Sequence, residues 1–203
     1  MQENMTPEAE RIYRDRPDGW EYSLTLEVLQ SEMKPVLQRW DALQRGLYSK
    51  QSVRIPRSNS IEWMQDRITE AEHLVGSFDL LSNEEFAKAW GAPGEAGDAD
   101  AIVSTSRLFA EMCATALEWE ERVRFAIVDP AFERVRTKFV GIGGRFIDEA
   151  AKLPAFMGAV LGDENASGTH TLNMILSLPE NWVSDVRAAL EEATADFIAN
   201  PGR

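Results

Sequence analysis

The sequence predicts a mainly α protein: an antiparallel bundle of four or so long helices, with a short β-ribbon or lone strand at about 169–178 and a C-terminal helix. Apolar residues recur at spacings of three and four through most of the chain, which is the mark of helices facing one another. Capping and stop signals bracket those runs, and the connections between them are short enough for neighbouring helices to pack. One stretch departs from the pattern. In THTLNMILSLP, Leu172, Met174, Leu176 and Leu178 alternate with Thr171, Asn173 and Ser177, a period of two that fits a strand buried on one face.

Residues 1–17 are polar and proline-containing and read as a flexible arm; residues 18–162 read as the bundle, and 163–203 as the strand plus a C-terminal helix packed on it. Asp18-x-x-Glu21 has the form of a capping box, and a first helix is expected from about Trp20 to Arg45. Pro35 predicts a kink or break within it, and Gly46 a C-terminal stop. Ser58-Asn59-Ser60 offers caps for a second helix, whose seam runs through Ile61, Met64, Ile68, Ala71, Val75 and Phe78. Ser82-x-x-Glu85 can start a short helix ending at Trp90, followed by the linker GAPGEAGDAD. A third helix is expected from Ala101 to Val128, capped by Asp100, with Phe109, Met112, Cys113, Ala116, Trp119 and Val123 on its apolar face. Asp129-Pro130 ends it and opens a fourth, because aspartate caps and proline suits a first turn. That fourth helix is interrupted by Gly141, Gly143 and Gly144 and closed or kinked at Pro154. Asn181 can cap the last helix.

Val53 and Ile55 also alternate with polar neighbours, and Pro56 marks an edge, so an intrachain ribbon is the first expectation for residues 169–178. The same strand from a second copy, giving a homodimer, and edge addition to another protein are the other pairings. A helical turn is the remaining alternative, since Leu172, Ile175 and Leu176 also fit a helical face.

The 203 residues carry a net charge of −13, 44% hydrophobic and 27% charged residues, as in an ordinary globular chain. Between Ile68 and Glu121 only Lys88 and Arg107 are basic, against twelve carboxylates. In contrast, RGLYSKQSVRIPR supplies Arg45, Lys50, Arg54 and Arg57 with no acid. The acidic bulk argues against direct nucleic-acid binding, which needs clustered cations. No run reaches the ~20 apolar residues of a membrane span, and the N-terminus lacks the apolar core of a signal peptide, so a cytoplasmic chain without membrane contact is expected. Cys113 is the only cysteine, which excludes an internal disulfide and a multi-cysteine zinc site.

Few residues combine into chemistry. Glu70-x-x-His73 matches one half of a di-iron carboxylate pattern, with Glu118, Glu120 and Glu121 as further oxygens, but the second Glu-x-x-His is missing. Cys113 stands on an apolar face without a neighbouring base. FVGIGGRF is neither G-x-G-x-x-G nor a P-loop and reads as helix-packing glycines. Adjacent pairs such as Glu120-Glu121 read as solvated faces. Of the six tryptophans, Trp40, Trp63 and Trp119 lie near apolar seams, whereas Trp20, Trp90 and Trp182 stand at expected helix ends. The expectation is a non-enzymatic interaction protein with no metal or cofactor and with a protein partner. Its contact residues are Lys50, Arg54, Arg57, Trp90, Leu172 and Met174. An acidic inhibitor of a basic partner, and a small-molecule or metal-dependent bundle enzyme or sensor, are the alternatives.

Overall fold

The computed structural model describes residues 20–80, 99–161 and 168–199, and it is mainly α. In chain order the elements are α1 (Trp20–Gln44), β1 (Val53–Arg54), a 3-10 turn (Arg57–Asn59), α2 (Ser60–Leu80), α3 (Ala99–Arg124), β2 (Ala126–Ile127), α4 (Pro130–Phe139), α5 (Ile142–Leu161) and α6 (Gly168–Ala199). The N-terminal arm, the Asp18 cap, the Ser82–Trp90 helix and most of the glycine-rich linker lie outside the described residues. No helix among the described residues is long and apolar enough to cross a membrane.

Helix α3 is the hub. It packs against α1, α2, α4 and α5, while α6 lies against α2, α4 and α5. The apolar seams meet in one core, in which Leu29, Met33, Met64, Phe78, Phe109, Leu117, Trp119, Phe139 and Phe146 are all but fully buried. Phe78 stacks on Phe146 with ring centroids 4.4 Å apart and meets Phe109 edge-on at 6.0 Å, arrangements that aromatic quadrupoles favour.

Helix ends follow the local chemistry. Gly46, at φ 68°, closes α1: its N–H donates to the Leu43 carbonyl and the Leu47 N–H to the Ala42 carbonyl, the two bonds of a Schellman cap. Pro35 lies on the exposed side of α1, which continues through it. Asp129 caps α4, accepting from the Ala131 N–H at 3.0 Å with Pro130 in the first turn.

Three expectations are corrected. Residues 169–178 are not a strand: they form part of α6, which also runs through Pro179 and Asn181 and so needs no cap there. A helix satisfies its backbone within itself, whereas a lone strand leaves a row of donors and acceptors to be paired elsewhere. Neither the ribbon with residues 51–55 nor strand pairing between two copies through Leu172 and Met174 remains available.

The partner of Val53 is instead the tail of the third helix. Helix α3 stops at Arg124, before the expected Val128, and Ala126–Ile127 peels off to pair with Val53–Arg54. The pair is parallel, with Val53 N–H donating to the Phe125 carbonyl at 3.0 Å and Ile55 N–H to Ile127 at 2.8 Å. Parallel pairing needs a long crossover, here everything from Pro56 to Phe125.

The expected fourth helix is two. Val140 turns extended and Gly141 adopts φ 95°, separating α4 from α5. At such a φ a side chain is strained, so glycine breaks the helix rather than merely loosening it.

Candidate interaction surface

Two buried carboxylates organise the C-terminal end of α3. Glu120 and Glu121 are both 0% exposed, against the expectation of a solvated pair. Neighbouring helix positions point about 100° apart, and α3 is covered on more than one side, so each carboxylate meets a different neighbour. Glu120 accepts the Gly141 N–H with both oxygens at 2.9 Å and pairs with Arg124 at 3.0 Å. It therefore places negative charge at the N-terminus of α5, where the helix dipole favours it. A phosphate at this glycine run would meet that carboxylate. Gly143 and Gly144 serve packing instead: a Cβ at Gly143 would lie 2.5 Å from the Ala116 carbonyl oxygen, and one at Gly144 2.5 Å from the Trp40 ring.

Glu121 faces α1 and the basic loop. Arg39 grips it in a two-pronged pair, Nε to Oε1 at 2.8 Å and Nη2 to Oε2 at 2.6 Å, and Lys50 pairs with the same Oε2. The bidentate pair is a strong geometry; hydrogen bonding to Glu121 holds the Arg39 pKa above its ordinary value, against the opposing pull of burial. Lys50, one of the predicted contact residues, thus anchors its loop to the core.

A second cluster lies beside the first. Glu70 pairs with Arg67 at 2.7 Å and with Arg122 at 3.3 Å. The Arg67 guanidinium sits over the Trp63 ring, 5.5 Å from its centroid. Burial pulls the Arg67 pKa below its ordinary value, and its Nε has no hydrogen-bond partner among the described residues. Glu70, offered above as a metal ligand, is thus engaged by two cations. No group of three or more His, Cys, Asp and Glu converges among the described residues. Cys113 is 0% exposed, and burial drives its thiol pKa sharply up, which removes the thiolate a nucleophile requires.

Between the clusters opens a cavity of about 230 Å³. Lys50 and Arg122 stand at it with Trp63, Phe125, Val53 and Ile55 as apolar lining, and Glu121 also reaches it. The stretch from Leu47 to Ile61 and strand β2 leave several large apolar side chains in water. Leu47 is 77% exposed, Val53 60%, Ile61 46% and Ile127 45%, four of the six large hydrophobic side chains left exposed among the described residues. Leu47 occupies the position after the Schellman glycine, where an apolar residue ordinarily folds back onto its helix. Here it stays in water.

No protein-family model, curated protein or solved structure matches this chain. Of the basic loop, Arg45 pairs with Asp41 at 2.8 Å, Lys50 with Glu121, and Arg57 with Asp129 at 3.8 Å. Arg54, exposed on β1, makes no ion pair among the described residues. Trp90 lies outside the described residues, and Leu172 and Met174 fall on α6. The sequence reading missed Leu47, Ile127, Trp63, Arg122 and Glu121. Leu47 carried a signal, a bulky apolar residue directly after a helix-stopping glycine.

Proposed function

We propose that this chain is a non-enzymatic cytoplasmic interaction protein, an accessory, regulatory or adaptor subunit, that docks a protein partner on the face formed by the loop after α1 and the two-stranded ribbon. The observation that carries the reading is the exposure of Val53 and Ile127 on the two paired strands, with Leu47 and Ile61 also exposed in the segments leading into and out of β1. Exposed apolar patches mark interaction sites, whereas single scattered side chains are ordinary. Arg54 adds a cation to the patch. In a parallel pair, alternate residues turn their N–H and C=O away from the partner strand, so the outer edge of β1 at Arg54 offers backbone groups to an incoming chain. The partner surface that fits is apolar with an acidic rim.

Affinity purification from native cells with three versions of the full chain tests this. A partner retained by the wild type and by Ile198→Asp, which alters an exposed residue at the far end of α6, but lost with Val53→Asp supports the proposal. A partner retained equally by Val53→Asp, or absent from the wild-type sample, overturns it.

The net charge of −13 favours one other reading, an acidic inhibitor that masks a basic partner. A complex dissolved by moderate salt yet indifferent to Val53→Asp is the result it requires.

A further inference from the structure

The cavity lined by Val53 and Ala126 of the ribbon joins two half-exposed cations to an apolar, aromatic wall. Its lining holds two cations, Lys50 and Arg122, and one carboxylate, Glu121. Glu121 is shared by Arg39 and Lys50, and Glu70 by Arg67 and Arg122. At the cavity wall cations thus outnumber carboxylates in a protein whose overall charge is −13. Such a local reversal focuses anions.

The donors are not exhausted. An ammonium carries three and a guanidinium five. Lys50 makes one ion pair and Arg122 one, to Glu70 at 3.3 Å. Their side chains are 44% and 45% exposed, so both can offer remaining donors to a bound anion while holding their carboxylates. Between them the lining is apolar and aromatic, with Trp63 and Phe125 as ring surfaces. At 230 Å³ the space is smaller than the roughly 300–1,000 Å³ of pockets for drug-sized ligands, which limits the occupant to one ring or a short branched chain.

We propose that this cavity binds a small amphipathic carboxylate, its apolar body against Trp63 and Phe125 and its carboxylate between Lys50 and Arg122. A polyphosphate is excluded by the apolar lining. An amine is excluded by the cation excess.

Phenylacetate, phenylacetamide and benzylamine titrated into the full chain form the test, read by 1H–15N NMR at the Trp63 indole and at the backbone of Gln51, Val53 and Ala126. The expected result is saturable shifts with phenylacetate at these positions, and binding at least about tenfold weaker for the amide and the amine. Lys50→Gln and Arg122→Gln are each expected to weaken phenylacetate binding severalfold, with amide shifts remote from the cavity unchanged as the check that the fold is kept. Shifts that do not saturate overturn the proposal. So does equal binding of acid and amide, or undiminished binding by the Lys50→Gln/Arg122→Gln double variant. Because the isolated chain is used, the outcome is separate from that of the partner experiment.

Discussion

The two sides of helix α3 at its C-terminal end are finished differently. On the side of Glu120, everything is closed: two glycines admit the α3 backbone and the Trp40 ring at contact distance, and the carboxylate is satisfied by a helix N-terminus and Arg124. On the side of Glu121, packing is left open. A cavity remains, cations exceed carboxylates, and apolar side chains face water. One helix thus supports a region whose interactions are completed within the chain and another whose interactions are not. The unfinished side is where a partner or ligand has something to gain.

The largest expected effect breaks this contrast at the carboxylates. Glu120→Leu leaves the part-buried Gly141 N–H without an acceptor and Arg124 without its carboxylate, and a loss of ~2–3 kcal/mol is expected, the upper range for an unsatisfied donor. Glu121→Leu leaves Arg39 and Lys50, whose side chains are 35% and 44% exposed and can turn to water, so a loss of only ~1–2 kcal/mol is expected, the penalty of a hydrogen-bonded partner removed at a wet site. Urea unfolding of both variants decides the matter. Equal losses would mean that the two sides do not differ in closure.

Next comes Gly143→Ala. Overpacking of a filled interface costs ~1–3 kcal/mol, and the gain in helix propensity from glycine to alanine, ~1 kcal/mol, offsets part of it. A net loss of ~1–2 kcal/mol follows, because the obstructing atom is a backbone oxygen and cannot swing aside. A stabilised variant would show that α3 and α5 can separate freely. On the open side, Leu47→Ser is expected to change stability by no more than ~0.5 kcal/mol, since the side chain is already 77% exposed, while weakening partner capture.

The helical seams were legible in the sequence because their residues lie within a few positions of one another. The Asp129-Pro130 boundary and the Gly46 stop were legible for the same reason. The N-terminal half of α6 was not: Leu172, Met174, Ile175, Leu176 and Leu178 satisfy a period of two and a period of 3.6 together. Only the lack of a pairing partner separates the two, and that is a property of the whole fold. Glu120 and Glu121 misled for a related reason. Two adjacent acids look solvated until the helix that carries them turns out to be the hub. The cavity could not be read at all, since Lys50 and Trp63 lie far from Phe125 in sequence and meet it only through the parallel crossover.

The smallest expected effect sharpens the contrast at its closed rim, where α4 is tied to the end of α3. Arg136 donates to the Val123 carbonyl at 3.1 Å and pairs with Glu133, Nε to Oε2 at 3.0 Å. Hydrogen bonding to Arg136 holds the Glu133 carboxyl pKa below its ordinary value, the modest opposing effect of burial notwithstanding. A carboxyl whose pKa is lower in the folded than in the unfolded chain stabilises the fold when ionised, and protonation removes that contribution. Its share of the stability is therefore fully present at neutral pH and is lost as pH falls below about 4.3, the unfolded value, through the folded one. Half of the Glu133 side chain is exposed, so solvent screening limits the share to ~0.5 kcal/mol or less. Wild type and Glu133→Gln, compared in urea across this range, should differ by that amount at neutral pH and converge in acid. A gap that persists unchanged in acid would show that Glu133 supports α4 by its shape and not by its charge, and the rim would then owe its closure to the Arg136–Val123 contact alone.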